Sequence, residues 1–390
     1  MKRTFLICCL LFVLPLLGAA QTAIKISHGP YLQGLGTNET TIVWTTNKKA
    51  ISWVELAPDD STHFYLKVRP KVFSSKDGFK LVDTVHRVKL SGLQPNTKYR
   101  YRIYSQEVLS HVGTDVQYGK VVATAVYKKE PLTFSTINPN AQKTVFGVIN
   151  DIHGRNEVME NLLANLNWKE TDLVFFNGDM ADNLRSETQM FGDYMDTAVK
   201  LFASEKPFYY ARGNHETRGN FAKNFADYFP TPDGRLYYIF RQGPVLFIVL
   251  DPGEDKPDTD IEYSGIVDFD NYRTQEAAWL KTALAKPEYK DAKYKVVVCH
   301  VPPFGGWHGE QEIAEKFVPL LNEAKAQVMI AAHLHRHVKK AAEPGKHQFP
   351  IMVNSNMNMV KASADQNKLL IQVLDQKGKV VDSMEILPNP

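Results

Sequence analysis

Five short polar clusters carry most of the side chains in this chain that could do chemistry. Each directly follows a short apolar run, such as Val145 to Ile149 or Val296 to Val298, of the kind found in strands buried on both faces. The clusters are Asp151-Ile152-His153, Gly178-Asp179, Gly213-Asn214-His215-Glu216, Cys299-His300 and His333-Leu334-His335. Residues just beyond the carboxyl ends of neighbouring strands converge in layered α/β domains. We therefore predict that the five clusters meet in one site.

The residue types in the clusters are those of a transition-metal site. Each cluster alone is weak evidence, because Asp and Asn are ordinary turn residues. Together they supply two adjacent sets of nitrogen and oxygen ligands, which suit Fe, Mn or Zn better than Ca or Mg. Two neighbouring ions can activate a water molecule and clamp phosphoryl oxygens. The set therefore predicts a two-metal hydrolase acting on phosphate esters.

The order of the clusters resembles that of the calcineurin-like metallophosphoesterase family. An Asp-x-His, a Gly-Asp, a Gly-Asn-His, a His after a strand and a closing His-x-His follow one another over roughly residues 144 to 390. Gly-Asn-His-Glu, preceded by a β-rich region, is most similar to the purple acid phosphatase branch.

The resemblance implies a role for each clustered side chain. Two divalent or trivalent transition metal ions (Fe, Mn or Zn) would share the bridging carboxylate of Asp179. The first ion would also be held by Asp151, His153 and His335, and the second by Asn214, His300 and His333. His215 would stay off the metals and protonate the leaving alkoxide after attack by a metal-bridging hydroxide.

Two departures from the family pattern bear on this site. Ala332 stands where the family has a Gly before the final His-x-His, and a positive backbone dihedral there would cost energy. Purple acid phosphatases have, three residues after the bridging Asp, a Tyr whose bond to ferric iron gives the colour, whereas this chain has Asp182 there. They also lack the His of the first motif, which this chain has as His153. We therefore predict no purple absorption band.

Other residues near the clusters are weaker candidates. Arg155, Arg212, Trp307 and His308 follow cluster strands and are possible substrate contacts, because loops at strand ends line pockets. The segment from Asp251 to Asp270 holds eight acidic residues, its two end residues included, without a clear period. It is interpreted as a solvated loop, with a lid over the site as the alternative.

The fold class predicted is α/β (α+β). Residues 21–126 alternate in short strand-like segments, which indicates a fibronectin type III-like antiparallel β-sandwich in which Tyr99 would bond back to the preceding turn. Residues 127–142 form a polar linker, and residues 143–390 form the metallophosphoesterase domain, a four-layer αββα arrangement by resemblance. Strands at 351–353, 368–373 and 380–384 lack intervening helices and predict a second, mainly antiparallel sheet.

Residues 1–20 have the order of a signal peptide: Lys2 and Arg3, an apolar run, then Gly18-Ala19-Ala20. We predict export to the periplasm or the cell exterior, with cleavage after Ala20. The mature chain would then have no stable membrane insertion. The alternative is that the segment remains as an uncleaved membrane anchor. Cleavage would remove Cys8 and Cys9 and leave Cys299 as the one cysteine, so no disulfide could form within a mature chain.

The balance of basic and acidic residues argues against a nucleic-acid partner. With 46 basic and 43 acidic residues, the chain lacks the basic excess of a nucleic-acid binder, so a small phosphate ester is the expected substrate. The function predicted is a secreted phosphomonoesterase. Alternatives are a phosphodiesterase that uses the same metal pair and a non-catalytic surface binding protein; a structural zinc site is disfavoured because such sites favour Cys. Oligomeric state is left open.

Overall fold

The computed structural model describes residues 22–127 and 129–389. The predicted signal peptide, residues 1–20, lies outside them, so export and cleavage stay predictions. Among the described residues, no helix combines the length and the apolar character needed to cross a bilayer.

The N-terminal domain is β-rich, and its strand pairings are antiparallel. Its strands are β1 (Ile26–Gln33), β2 (Glu39–Pro58), β3 (Lys71–Phe73), β4 (Ser75–Lys76), β5 (Phe79–Lys80), β6 (Asp83–Ser91), β7 (Lys98–Val112), β8 (Asp115–Ala123) and β9 (Leu132–Ser135).

Strand β2 joins the two halves of this domain. Its first half pairs with β1 and β6, and its second half pairs with β3 and β7. The strand continues through the polar stretch 47–49, with an irregular register between Thr45 and Ala50. Trp44, Val54 and Ile103 share the enclosed core. The predicted tyrosine corner is present, since the backbone N–H of Gln94 donates to Tyr99 Oη at 2.9 Å.

The second domain contains two six-stranded mixed sheets. Its strands are β10 (Thr144–Ile149), β11 (Leu173–Phe176), β12 (Phe208–Tyr210), β13 (Tyr238–Gln242), β14 (Val245–Val249), β15 (Tyr294–Val298), β16 (Val328–Ala331), β17 (Val338–Lys340), β18 (Ile351–Val353), β19 (Asn358–Ala364), β20 (Leu369–Asp375) and β21 (Val380–Ile386). The sheet orders are β12-β11-β10-β19-β20-β21 and β13-β14-β15-β16-β18-β17.

Helices cover the outer faces of both sheets. They are α1 (Asn156–Leu163), α2 (Glu187–Met190), α3 (Asp196–Ala198), α4 (Phe225–Tyr228), α5 (Phe269–Leu284), α6 (His308–Lys316) and α7 (Val318–Glu323). Two π-helical turns, Phe191–Met195 and Val199–Ala203, flank α3 and continue its path. Pro319, which cannot donate a backbone N–H, lies in the first turn of α7, just after α6 ends.

The core between the sheets is apolar on both sides. Phe146 of one sheet meets Phe247 of the other edge to face, with ring centroids 5.0 Å apart. Met159 and Phe202 belong to the core under the helices on one side, and Ile313 belongs to the core on the other. The layers therefore run helix, sheet, sheet, helix, which confirms the predicted αββα class.

The C-terminal strands pair differently from the expectation. The predicted strand at 351–353 is β18, which lies beside β16 in parallel, whereas β20 and β21 extend the other sheet through β19. The prediction of a second, mainly antiparallel sheet that contains all three segments is therefore wrong for β18, whereas β20 and β21 do pair antiparallel. Strand partners are long-range, and the local pattern of these segments does not encode them.

Candidate metal centre

The loops after five strands bring the predicted ligands together. Asp151, His153, Asp179 and His335 offer ligand atoms that all lie within 4.8 Å of one another, and the same holds for Asp179, His300 and His333. His335 Nε2 lies 3.2 Å from Asp151 Oδ1, and His300 Nε2 lies 3.0 Å from Asp179 Oδ2. Asp179 belongs to both groups, so the geometry contains two adjacent ligand sets with one common carboxylate.

Asn214 lies beside the second set. Its Oδ1 is 3.1 Å from His333 Nδ1. The carboxyl-terminal ends of β10, β11 and β12 in one sheet and of β15 and β16 in the other supply all seven predicted ligand residues. The site therefore lies at the edge that the two sheets share.

The backbone at the site is strained. Five of the seven predicted ligand residues have a positive φ, between 49° and 71°: Asp151, His153, Asp179, His333 and His335. A left-handed conformation costs a non-glycine residue on the order of 1–3 kcal/mol and concentrates at functional sites. Ala332 is not among the positive-φ residues, so its replacement of a glycine adds no such strain.

Two glycines leave the room that His300 and Asp179 need. Gly178 has a φ of 77°, and a Cβ there would lie 2.4 Å from His300 Nδ1. A Cβ on Gly213 would lie 2.2 Å from Asp179 Oδ1. Both positions therefore require glycine, one for its dihedral and for space, the other for space alone.

Unpartnered buried atoms indicate that the donor set fits cations. Asp151 Oδ1 and His300 Nε2 are buried and form no hydrogen bond, although such atoms are normally paired. The contact of His300 Nε2 with Asp179 has ion-pair distance without hydrogen-bond geometry. Transition-metal ions bound between these atoms would satisfy both.

The pKa values at the site reflect burial and the charge of Asp179. Burial opposes protonation of His300, but the Asp179 carboxylate outweighs it and raises the pKa of His300 to about 10. Burial, followed by repulsion from His300, lowers the pKa of His333 to about 4. The Asp179 carboxylate therefore favours a positive charge at this position, the charge that a bound cation would supply.

Two of the histidines have a hydrogen-bond partner on the nitrogen that faces away from the ligand set. The Nδ1 of His153 lies 2.8 Å from Asp182 Oδ1, and its Nε2 lies 3.1 Å from His335 Nε2. The Nδ1 of His300 lies 2.7 Å from the carbonyl of Asn177. Such partners fix the tautomer of a ligating imidazole. In the sequence, Asp182 stands out only because the family pattern has a tyrosine at that position, and this difference does not indicate the role.

His215 lies at the mouth of the site. Its Nδ1 donates to the carbonyl of Asp182 at 2.6 Å, and its Nε2 lies 3.9 Å from Asp179 Oδ2. The side chain is 28% exposed. Nε2 is therefore the nitrogen that can exchange a proton with a bound molecule.

Glu216 holds together the loops that carry Asp179 and Gly213. The sequence alone did not indicate this role. Its carboxylate is fully buried and accepts from the backbone N–H groups of Asp179, Met180 and Gly213 at 2.7–3.0 Å. Tyr210 Oη also donates to it at 2.9 Å. The Gly-Asn-His-Glu motif was the available signal, because Glu216 is its last residue.

The four predicted substrate contacts occupy different settings. Arg155 donates to the carbonyl of Ile152, and Arg212 forms an ion pair with the buried carboxylate of Asp251 at 2.9 Å. Trp307 is 52% exposed. His308 lies 2.8 Å from Asp270 Oδ1. A substrate role for these four stays a prediction.

His308 belongs to a further group of potential ligands with Asp270 and Glu312. The guanidinium of Arg273 contacts both carboxylates, and Lys316 contacts Glu312. Because these two cations already neutralise the acids, we interpret the group as an ion-pair network that joins α5 to α6.

Comparison with known proteins defines the class. Residues 144–337 match the calcineurin-like phosphoesterase family, and residues 29–117 match the purple acid phosphatase N-terminal domain. The chain belongs to the calcineurin-like phosphoesterase family. Its N-terminal domain is similar to the N-terminal domain of purple acid phosphatases.

Individual relatives agree with this assignment. Purple acid phosphatase 22 of Arabidopsis thaliana is 24% identical over 65% of this chain and 53% of its own length. Purple acid phosphatase 18 of the same plant is 22% identical over 84% of this chain and 69% of its own length. The chain therefore spans about half to two thirds of the length of these relatives.

Solved structures share the fold. Purple acid phosphatase PPD1 from yellow lupin (Lupinus luteus) seeds superposes with a TM-score of 0.63 at 16% identity, over 92% of this chain and 74% of that one. The structure of PhoD superposes with a TM-score of 0.56 at 12% identity, over 92% of this chain and 94% of that one.

Proposed function

We propose that the protein is a binuclear metal-dependent phosphoesterase that hydrolyses phosphomonoesters. The observation that carries this proposal is the pair of ligand groups that share Asp179. Membership of the calcineurin-like phosphoesterases and the similarity to purple acid phosphatases support the same reaction class.

The ligand assignment follows from the two groups. Asp151, His153 and His335 would hold the first ion, and Asn214, His300 and His333 would hold the second, with Asp179 common to both ligand sets. When bound, two such ions lower the pKa of a shared water and neutralise charge on the phosphoryl oxygens. The mixed nitrogen and oxygen donors favour Fe, Mn or Zn.

The chain itself supplies the proton and the orientation. His215, with Nδ1 held by the Asp182 carbonyl, presents Nε2 to the leaving oxygen and protonates it. Asp182 and Asn177 orient His153 and His300, and Glu216 holds the Asp179 turn. Trp307, which is exposed at the start of α6, is the best placed of the predicted contacts to stack on a leaving group.

The proposed place of action is outside the cytoplasm. The order of charged, apolar and small residues in segment 1–20 supports export with cleavage after Ala20. N-terminal sequencing of exported protein should begin at Gln21, and a protein that begins at Met1 would contradict cleavage.

One experiment tests metal content and reaction class together. The full chain is purified, its metal content is measured, and its turnover of an aryl phosphate monoester is compared with that of the corresponding diester. Two transition-metal ions per chain and faster monoester turnover are expected. Faster diester turnover would favour the phosphodiesterase alternative, and a metal-free protein without ester cleavage would favour a non-catalytic binding role.

A further inference from the structure

The acidic segment after β14 does not behave as a solvated loop where it nears the metal centre. Asp251, Glu254 and Asp255 are buried, with 0%, 1% and 6% of their surface exposed. The interpretation of the whole segment as solvated is therefore wrong for these three residues. Asp251 pairs with Arg212, whereas Asp255 approaches a predicted metal ligand.

Asp255 faces the outer nitrogen of His333. Its Oδ2 lies 3.7 Å from His333 Nε2. The other ring nitrogen, Nδ1, lies 3.1 Å from Asn214 Oδ1. The two nitrogens of an imidazole point in different directions, so Nδ1 faces the predicted ligand set while Nε2 faces Asp255.

Neighbouring groups hold the Asp255 carboxylate in place. Arg218 Nη2 and Tyr263 Oη each lie 3.4 Å from Asp255 Oδ1. Arg218 is itself paired with Glu254 at 2.9 Å. The backbone carbonyl of Asp255 accepts from the N–H of Gly309 at 2.8 Å, at the start of α6. These contacts engage Oδ1 and the backbone and leave Oδ2 directed at the histidine.

A direct ligand role for Asp255 fits the geometry less well. The ligand atoms of Asp179, His300 and His333 lie within 4.8 Å of one another, and Asp255 is not a member of that group. A neutral imidazole that coordinates through one nitrogen carries its proton on the other. That proton needs an acceptor, and Asp255 offers a charged one.

We infer that Asp255 is a positioning residue for the second metal ion: it accepts the Nε2 proton of His333 and so keeps Nδ1 free to coordinate. This inference rests on the proposed two-metal site. Asp182 and the Asn177 carbonyl occupy the corresponding positions beside His153 and His300, at 2.8 and 2.7 Å, whereas Asp255 approaches His333 at 3.7 Å. Loss of such an outer partner typically weakens metal binding by about 10–100-fold.

The test is calorimetric titration of Zn²⁺ into the metal-depleted full chain. In Asp255→Ala, the affinity for one of the two ions should fall about 10–100-fold while the other is unchanged. Asp255→Asn retains an acceptor oxygen and should lose less. A His300→Ala variant, which removes a ligand of the second ion, identifies which of the two affinities belongs to that ion.

The matched control is Asp268→Asn. Asp268 is an exposed acid of the same segment whose side chain contacts Asn271, so a general requirement for acids in this segment would weaken binding in this variant too. Unchanged melting temperatures of the metal-free variants would show that the fold is intact.

The outcomes separate the inference from the proposed function. Wild-type protein that binds fewer than two ions overturns both. Wild-type protein that binds two ions, with an Asp255→Ala variant that binds both with wild-type affinity or loses both equally, overturns the role of Asp255 alone. Selective weakening of the ion affected by His300→Ala, with partial recovery in Asp255→Asn, supports it.

Discussion

The carboxylate of Asp182 lies 2.8 Å from Nδ1 of His153, on the nitrogen opposite the one that approaches His335. The backbone carbonyl of Asp182 accepts from Nδ1 of His215 at 2.6 Å. One residue therefore orients both a predicted ligand of the first metal and the predicted proton donor, the former through its side chain and the latter through its backbone.

Replacement of Asp182 by Ala should lower the affinity for the first metal ion by about 10–100-fold, because the tautomer of His153 is then no longer fixed. Zn²⁺ titration measures the affinity. The carbonyl that holds His215 remains, so the second ion and the protonation step should change less. Asp196→Asn, an exposed acid that pairs with His28 instead, is the control. Equal affinities in wild type and Asp182→Ala would contradict this role.

The iron-loaded protein should lack an intense visible tyrosinate band. Purple acid phosphatases, by the family pattern, carry a Tyr at the position of Asp182, and the carboxylate here bonds His153 instead. The absorption spectrum of protein with two bound iron ions tests this. A strong band in the visible range would show that a tyrosine from elsewhere in the chain reaches the metal.

Gly213→Ala should abolish binding of both ions. The added Cβ would lie 2.2 Å from Asp179 Oδ1 and 2.5 Å from its backbone nitrogen, which displaces the shared carboxylate. Metal analysis after purification measures the loss. Gly192→Ala is the matched control, because a Cβ there meets nothing within 4 Å. Full metal content in Gly213→Ala would show that the loop can shift without cost.

The clustering of the predicted metal ligands could be anticipated from sequence because it depends on local signals. Each ligand follows a continuous apolar strand, and the parallel strands of an α/β domain end at a common edge. Tyr99 was predictable for the same reason, since its partner Gln94 is five residues away.

Residues that act through long-range packing were not predictable. Asp255 lies in an acidic segment without a period, and contacts with Arg218, Tyr263 and Gly309 bring it to His333. The separation of β18 from β20 into different sheets likewise depends on pairing partners far along the chain. A pattern of residue types carries no information about such pairings.

His215→Ala should lower turnover by about 10²–10⁴-fold, the usual contribution of a general acid, with both metal ions retained. The loss should be smaller for an aryl phosphate than for an alkyl phosphate, because a phenolate leaves with less need of a proton. Turnover of the two substrates and metal content are measured together. An equal loss on both substrates would contradict a proton-donor role and favour a role in phosphate binding.

His86 should make the N-terminal domain less stable in acid. It is buried between Trp44 and Thr46, and burial lowers its pKa to about 4. The unfolded chain has a histidine pKa near 6.5. Between these two values the unfolded state binds a proton that the folded state does not. The contribution of neutral His86 to the free energy of unfolding is therefore complete above about pH 6.5. It falls by about 1.4 kcal/mol per pH unit as the pH is lowered towards 4.

Urea unfolding of wild type and His86→Gln at several pH values isolates this contribution. The variant should be less stable at neutral pH, since the contacts of the imidazole with Trp44 and Thr46 are lost, but its stability should depend less steeply on pH between 4 and 6.5. Because every other titrating group is common to both proteins, the difference in slope belongs to His86. Parallel curves over this range would show that His86 takes up its proton equally in the folded and unfolded states.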